Sequence, residues 1–234
     1  MQQSAFDFLR ELEWTVRNEP AQGTPELLRN LSHELRQPLS AIESIAFYLQ
    51  MAIPGSPAKS HQHLARIPEL VDSMNGVLSD VVHYMGLIPP QVQHADLQVL
   101  VAEVAVDLFT EQRPHLVVDL AANTIPVSID CPQGRHLVRT LASFFRQIGK
   151  PLDEVRLRAS AANGEARLDF HAPGIEYSPD ELDAMFEPFH PDLPQGCALS
   201  LVTARKIAEG HGGRVGIRSE AGTGTTMTVY LPLG

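Results

Sequence analysis

The sequence predicts two folded parts: an antiparallel helical hairpin, then an α/β sandwich in which helices lie on a largely antiparallel sheet. Three observations predict it. From residue 24 to residue 85 apolar residues recur at helical spacing, with one Pro/Gly-rich break at residues 54–57. Beyond Pro89-Pro90 the pattern changes to short alternating runs set between amphipathic segments. The length of 234 residues suits two domains, and 44% apolar with 20% charged residues is a composition that can bury a core in each.

In order along the chain, Phe6, Leu9, Leu12 and Val16 share one face of a first short helix, which Glu19-Pro20-Ala21-Gln22-Gly23 ends. Residues 1–23 are therefore an N-terminal helix and linker. Thr24 then caps a new helix with Pro25 at its first position. Leu28, Leu31, Leu35, Ile42, Ile45 and Leu49 form its stripe, and Pro38 inside it predicts a bend. After the turn at 54–57, Leu64, Ile67, Val71, Met74, Leu78, Val81 and Met85 are spaced 3-4-3-4-3-4. Pro68 is a candidate start for the regular part of this helix. A hairpin of two such helices (24–88) cannot bury both stripes alone, so a homodimer forming a four-helix bundle is expected.

The second part spans 89–234. Helices are predicted over 97–109, 135–149 and 199–209, and strands over 116–120, 127–130, 155–159, 166–170, 214–217 and 225–231. Asn163-Gly164 marks a tight hairpin turn. The Asp180-Glu181-Asp183 cluster reads as the acidic start of a helix.

Several function classes are disfavoured. A net charge of −10 opposes nucleic acid as the main partner. No apolar run approaches a membrane span, and Met1-Gln2-Gln3-Ser4 begins no basic-then-apolar leader, so a soluble, cytoplasmic chain is expected. Cys131 and Cys197 are too few for a disulfide framework and read as buried or half-buried thiols. His61-x-His63 and His190-x-Asp192 are too sparse to predict a metal site, and His83 and His94 read as polar surface. No Gly-x-Ser-x-Gly elbow is present.

His33 is the candidate reactive residue. It lies two residues from both Leu31 and Leu35, about 200° around the helix from each, so it points away from the seam toward solvent. A neutral imidazole has one unprotonated nitrogen that can attack phosphorus. Glu34, its neighbour, can hold the proton on the other nitrogen or act as base.

The run Leu31-Ser32-His33-Glu34-Leu35-Arg36-Gln37-Pro38-Leu39 resembles the phosphoacceptor box of two-component histidine kinases. The resemblance implies that His33 carries a phosphoryl group and that the hairpin is a dimerisation and phosphotransfer domain. Gln37 stands where many members have Thr or Asn to support phosphatase activity, which puts that activity in doubt.

The second part resembles the ATPase domain of the same family through Pro173-Gly174-Ile175, Met185-Phe186-Glu187-Pro188-Phe189, Ile207 to Arg214 and Gly222-Thr223-Gly224. The nucleotide-touching positions depart from the family. Its adenine-binding aspartate corresponds to Phe170, and the first glycine of that box to Ala172, with Gly174 retained. Asp169 faces the opposite side of the strand and cannot substitute. The magnesium-binding asparagine positions correspond to Ser143 and Gln147. The phosphate-side glycine run reads Gly196-Cys197-Ala198-Leu199-Ser200-Leu201, so two of its glycines have become Ala198 and Ser200. The stretch from Phe189 to Gly196 leaves little room for a nucleotide lid. The remaining glycine pairs, Gly212-Gly213 and Gly222 with Gly224, read as turn geometry.

The expectation is phosphoryl exchange between His33 and the aspartate of a response-regulator receiver domain, with no resident cofactor and the ATPase-type domain serving as a docking surface. Two alternatives remain open. One is an ATP- and magnesium-dependent kinase that phosphorylates His33 itself, with Glu34 assisting. The other is a non-catalytic regulator that binds a partner kinase.

Overall fold

The computed structural model describes residues 35, 40–42, 44, 45, 47–49, 57–85, 89–109, 116–120, 123–149, 154–194, 197 and 199–234. They belong to two compact units, Met1–Met74 and Asn75–Gly234. His33, Glu34, Gly196 and Ala198 lie outside the described residues, as do the N-terminal helix, the Thr24 cap and the Pro38 bend.

In the first unit residues 40–42, 44, 45 and 47–49 are helical, with Ile45 buried and Phe47 largely exposed. Helix α1 spans Pro57–Tyr84, and from Asn75 onward it belongs to the second unit. It starts eleven residues before Pro68, because Pro57 is itself suited to the first helical position. One hydrogen bond lost at Pro68 does not stop a helix that is already propagating.

The second unit continues with β1 (Gln93–Asp96), α2 (Leu97–Phe109), β2 (Leu116–Leu120), β3 (Pro126–Ile129) and α3 (Cys131–Ile148). Then come β4 (Val155–Ala162), β5 (Glu165–Ala172), α4 (Pro179–Ala184), α5 (Ser200–Gly210), β6 (Arg214–Glu220) and β7 (Gly224–Pro232). Five strands form one sheet in the order β2-β4-β5-β7-β6. Only the β2–β4 pair is parallel; the others are antiparallel, as expected from the sequence. The β4–β5 turn is built on Asn163 and Gly164, both at positive φ, the requirement of a two-residue hairpin loop.

Alternation along the strands decides which face is covered. Val155, Leu157 and Ala159, then Ala166, Leu168, Phe170 and Ala172, then Met227, Val229 and Leu231 all point to one side and are buried. Leu100, Val101 and Val104 of α2, Leu137, Leu141 and Phe145 of α3, and Leu201, Ala204 and Ile207 of α5 complete that core. The architecture is a two-layer α/β sandwich.

Strand β1 was not expected. Gln93-His94-Ala95-Asp96 has no apolar alternation, and it becomes a strand through antiparallel pairing with β3. The predicted start of α3 at Arg135 is also corrected, to Cys131, by a cap. The Asp130 carboxylate accepts the Gln133 amide at 2.8 Å through Oδ1 and the Gln91 amide at 2.7 Å through Oδ2. The Asp130 amide donates to His211 Nε2 at 3.0 Å, while His211 Nδ1 donates to the Ile207 carbonyl at 2.7 Å. These partners assign His211 as a neutral ring buried between α3 and α5. The acidic cluster does start a helix: Ser178 and Glu181 form a capping box on α4.

Gly224 is required by close approach. Its φ is +110°, and a Cβ there would lie 2.3 Å from the Ala172 carbonyl oxygen and 2.8 Å from Pro173 Cα. Gly222, at φ +78°, faces open space. Gly224→Ala is therefore expected to destabilise the second unit by about 2–4 kcal/mol, and Gly222→Ala by only about 1 kcal/mol. Urea unfolding of the two variants checks the order; equal losses would contradict the clash.

Candidate functional site

Among the described positions that the sequence ties to nucleotide, Phe170, Gln147 and Ser200 are engaged in contacts within the protein. Phe170 projects from the covered face of β5 and is 0% exposed. Its ring lies 5.9 Å from that of Phe145 at an interplanar angle of 27°, so it fills the core between sheet and α3. Ala172 is also buried, and Gly174 takes a positive φ in the turn after β5. Asp169 faces the other side of the sheet, as strand alternation requires. There its carboxylate accepts the Thr228 hydroxyl at 2.6 Å and pairs with the Arg167 guanidinium at 2.9 Å.

Ser143 is half-buried on α3, and Gln147 is exposed with its amide donating to Cys197 Sγ at 3.3 Å. Gln147 thus reaches the segment that corresponds to the glycine run, where Cys197 is buried. Ser200, the first residue of α5, is buried, and its hydroxyl donates to Asp80 Oδ2 at 2.8 Å. Phe186, in the retained Met185–Phe189 stretch, is buried under the Arg205 guanidinium, which stands 3.5 Å from its ring centre.

A polar cluster that the sequence reading missed meets Ser200. Asp80, near the end of α1, is 3% exposed and accepts His136 Nε2 at 2.8 Å through Oδ1. The Thr140 hydroxyl lies 3.4 Å from the same nitrogen, and the Ser79 hydroxyl 3.3 Å from His136 Nδ1. His83 stacks on His136, ring centres 4.4 Å apart and 13° from parallel, and its Nδ1 lies 2.7 Å from the Ser79 carbonyl oxygen. His83 is therefore half-buried rather than polar surface, a correction that follows from α3 lying over it. Its proton affinity is lowered by burial and further by the neighbouring His136, against the raising effect of its backbone hydrogen bond and nearby carboxylates. The sequence did hold a signal: His136, Thr140 and Gln147 recur at helical spacing beside the apolar face of α3.

The open face of the sheet carries a groove lined by Arg156, Arg158, Arg167, His171 and Arg218. Most of these charges are matched locally: Arg158 pairs with Asp119, Arg167 with Asp169 and Arg156 with Glu154. Burial and the flanking Arg156 and Arg218 lower the proton affinity of His171. Among the described residues no group of three His, Cys, Asp or Glu could hold a metal ion, and no helix is long and apolar enough to cross a membrane. Asp192 does fold back on His190, its amide 3.4 Å from Nδ1, so that pair closes on itself.

Two family models match this chain. Residues 26–84 match the His Kinase A (phospho-acceptor) domain, and residues 127–234 match the histidine kinase-, DNA gyrase B- and HSP90-like ATPase. The chain belongs to the two-component histidine kinase family. It is 25% identical to the sensor histidine kinase ZraS of Escherichia coli K12 over 223 residues, 93% of this chain and 47% of that protein. The chain spans about half the length of the curated relatives it matches. Among solved structures, it resembles the histidine kinase ThkA in complex with the response regulator TrrA, at TM-score 0.65 and 15% identity, covering 100% of this chain and 68% of that one. Full-length ShkA in complex with AMPPNP gives TM-score 0.60 at 24% identity, covering 89% of this chain and 46% of that one. At these identities the structures establish the fold.

Two half-buried histidines impose a pH dependence on this family member. His83 and His171 both bind protons less readily when folded than at the ordinary value of 6.5, so the unfolded chain takes up more protons as pH falls. Stability is then full above 6.5 and declines as pH drops below it. Calorimetry is expected to give a lower melting temperature at pH 5.5 than at pH 7.5, with a smaller gap in the His83→Gln, His171→Gln double variant.

Proposed function

We propose that this chain exchanges a phosphoryl group between His33 and the aspartate of a response-regulator receiver domain, without holding ATP. The observation that carries this reading is Phe170, fully buried and stacked on Phe145 where the family places its adenine-binding acid. A purine needs an acceptor for its amino group and open space beside it; Phe170 supplies neither, and one lost buried hydrogen bond costs about 1–3 kcal/mol. Ser200 adds to this, since its hydroxyl is committed to Asp80 and a carboxylate stands beside the first turn of α5. The residues present do not fit a bound nucleotide, so no step is routed through one.

The chemistry is then a transfer between two side chains. The unprotonated nitrogen of His33 attacks phosphorus, a P–N bond forms, the acyl P–O bond to the receiver aspartate breaks, and the aspartate leaves as carboxylate. The other imidazole nitrogen keeps its proton, with Glu34 as its acceptor. The reverse reaction discharges His33. A receiver's own magnesium would neutralise the moving phosphoryl group. Residues 24–88 of two copies form the four-helix bundle that presents His33, and the ATPase-type domain is a docking surface.

The second reading is an ATP-dependent kinase that phosphorylates its own His33. The names of the relatives, sensor histidine kinases, favour it over phosphotransfer alone. Titration calorimetry with ATP and magnesium, run beside labelling with γ-phosphate-labelled ATP, separates the two. The phosphotransfer reading expects no heat and no label at millimolar ATP. It also expects transfer to wild-type protein, but not to His33→Gln, from receiver domains charged with acetyl phosphate. Direct label on His33 from ATP would establish the kinase reading instead.

A further inference from the structure

The end of α1 is joined to the ATPase-type domain by side chains that the proposed phosphotransfer does not use. Ser200, Thr203 and Lys206 recur every three residues and so share one face of α5. The Ser200 hydroxyl donates to the Asp80 carboxylate at 2.8 Å, and the Thr203 hydroxyl to the Asp80 carbonyl at 3.2 Å. The Lys206 ammonium donates to the Tyr84 carbonyl at 2.8 Å and stands 4.0 Å from the centre of the Tyr84 ring. From α3, His136 donates to the second Asp80 oxygen at 2.8 Å.

The contacts at Tyr84 and at the Asp80 carboxylate answer needs of the helix end. The last carbonyls of a helix lack intrahelical partners, and Tyr84 finds one in a cation, the charge that a helix C-terminus favours. A carboxylate as buried as Asp80 must be met by donors. It has two in side chains, one from α3 and one from α5. No side-chain polar atom buried among the described residues lacks a partner. Proton placement is consistent throughout. His136 carries its proton on Nε2 toward Asp80 and accepts Ser79 Oγ–H on Nδ1, while His83 donates from Nδ1 to the Ser79 carbonyl.

Ser200 stands where the family's phosphate-side run has a glycine. Glycine there would leave one oxygen of the buried carboxylate without its donor, so the serine and Asp80 are complementary. We propose that Asp80 is the catch of a latch that fastens the last turns of α1 to the Ser200–Thr203–Lys206 face of α5, holding the ATPase-type domain fixed on the helix end. The proposal deepens the phosphotransfer reading and rests on it. A domain that carries no nucleotide to His33 need not swing, and a docking surface gains from being held in place. The latch also sets a negative charge beside the first turn of α5, which turns other anions away.

Hydrogen exchange of the whole chain, read by mass spectrometry, tests the latch through Asp80→Ala and Ser200→Ala. Loss of a donor or acceptor from a charge-assisted pair is expected to speed exchange over residues 77–84 about tenfold. In Ser200→Ala the faster segment lies on α1, away from the substituted helix, which local fraying of α5 would not produce. Exchange over 77–84 within twofold of wild type in Ser200→Ala overturns the latch, and that variant decides the matter should Asp80→Ala fail to fold. ATP binding by the wild-type protein would overturn the phosphotransfer reading while leaving the exchange result intact, so the two failures are distinguishable.

Discussion

The second unit is organised by a sheet that has one face to hide. Five strands expose alternate side chains on both sides, and only the side bearing Val155, Leu157, Leu168, Phe170, Met227 and Val229 is predominantly apolar. Burial at roughly 25 cal/mol per Å² makes covering that face the dominant favourable term. Helices α2, α3 and α5 are placed by this demand. Phe170 stands near the middle of the covered face, so its large ring serves the core first.

That placement couples packing to chemistry. A carboxylate at residue 170 would have to sit in a dry core and be met by a ligand or by a donor; a phenyl ring needs neither. Stacked on Phe145, it stabilises the sandwich between the sheet and α3. At the end of α1 the buried Asp80, Thr140 and Ser200 and the neighbouring His136 satisfy one another. Phe170, Gln147 and Ser200 are each held in contacts within the protein.

Much of this was legible in the sequence because it rests on short-range periodicity. The strands from β2 to β7, the Asn163-Gly164 hairpin and helices α2, α3 and α5 follow from alternation, helical spacing and turn residues. The opposite orientations of Asp169 and Phe170 follow from the pleat alone. The misses have other causes. β1 is a strand because β3 offers it hydrogen bonds, and α3 begins early because Asp130 collects amides from residues 91 and 133. His83 passes for a surface residue until α3 is laid over it.

By itself the sequence determined the family and the two-part architecture, since these reside in contiguous motifs and local periodicity. It also offered, through the resemblance, an expectation of which nucleotide-box residues differ. What those differences accomplish was decided only by the tertiary structure, because Asp80 and Ser200 are 120 residues apart and Phe145 and Phe170 lie on different elements. Whether a serine in place of glycine is a defect or a donor depends on what lies within 3 Å of its hydroxyl, and only the folded chain brings Asp80 there.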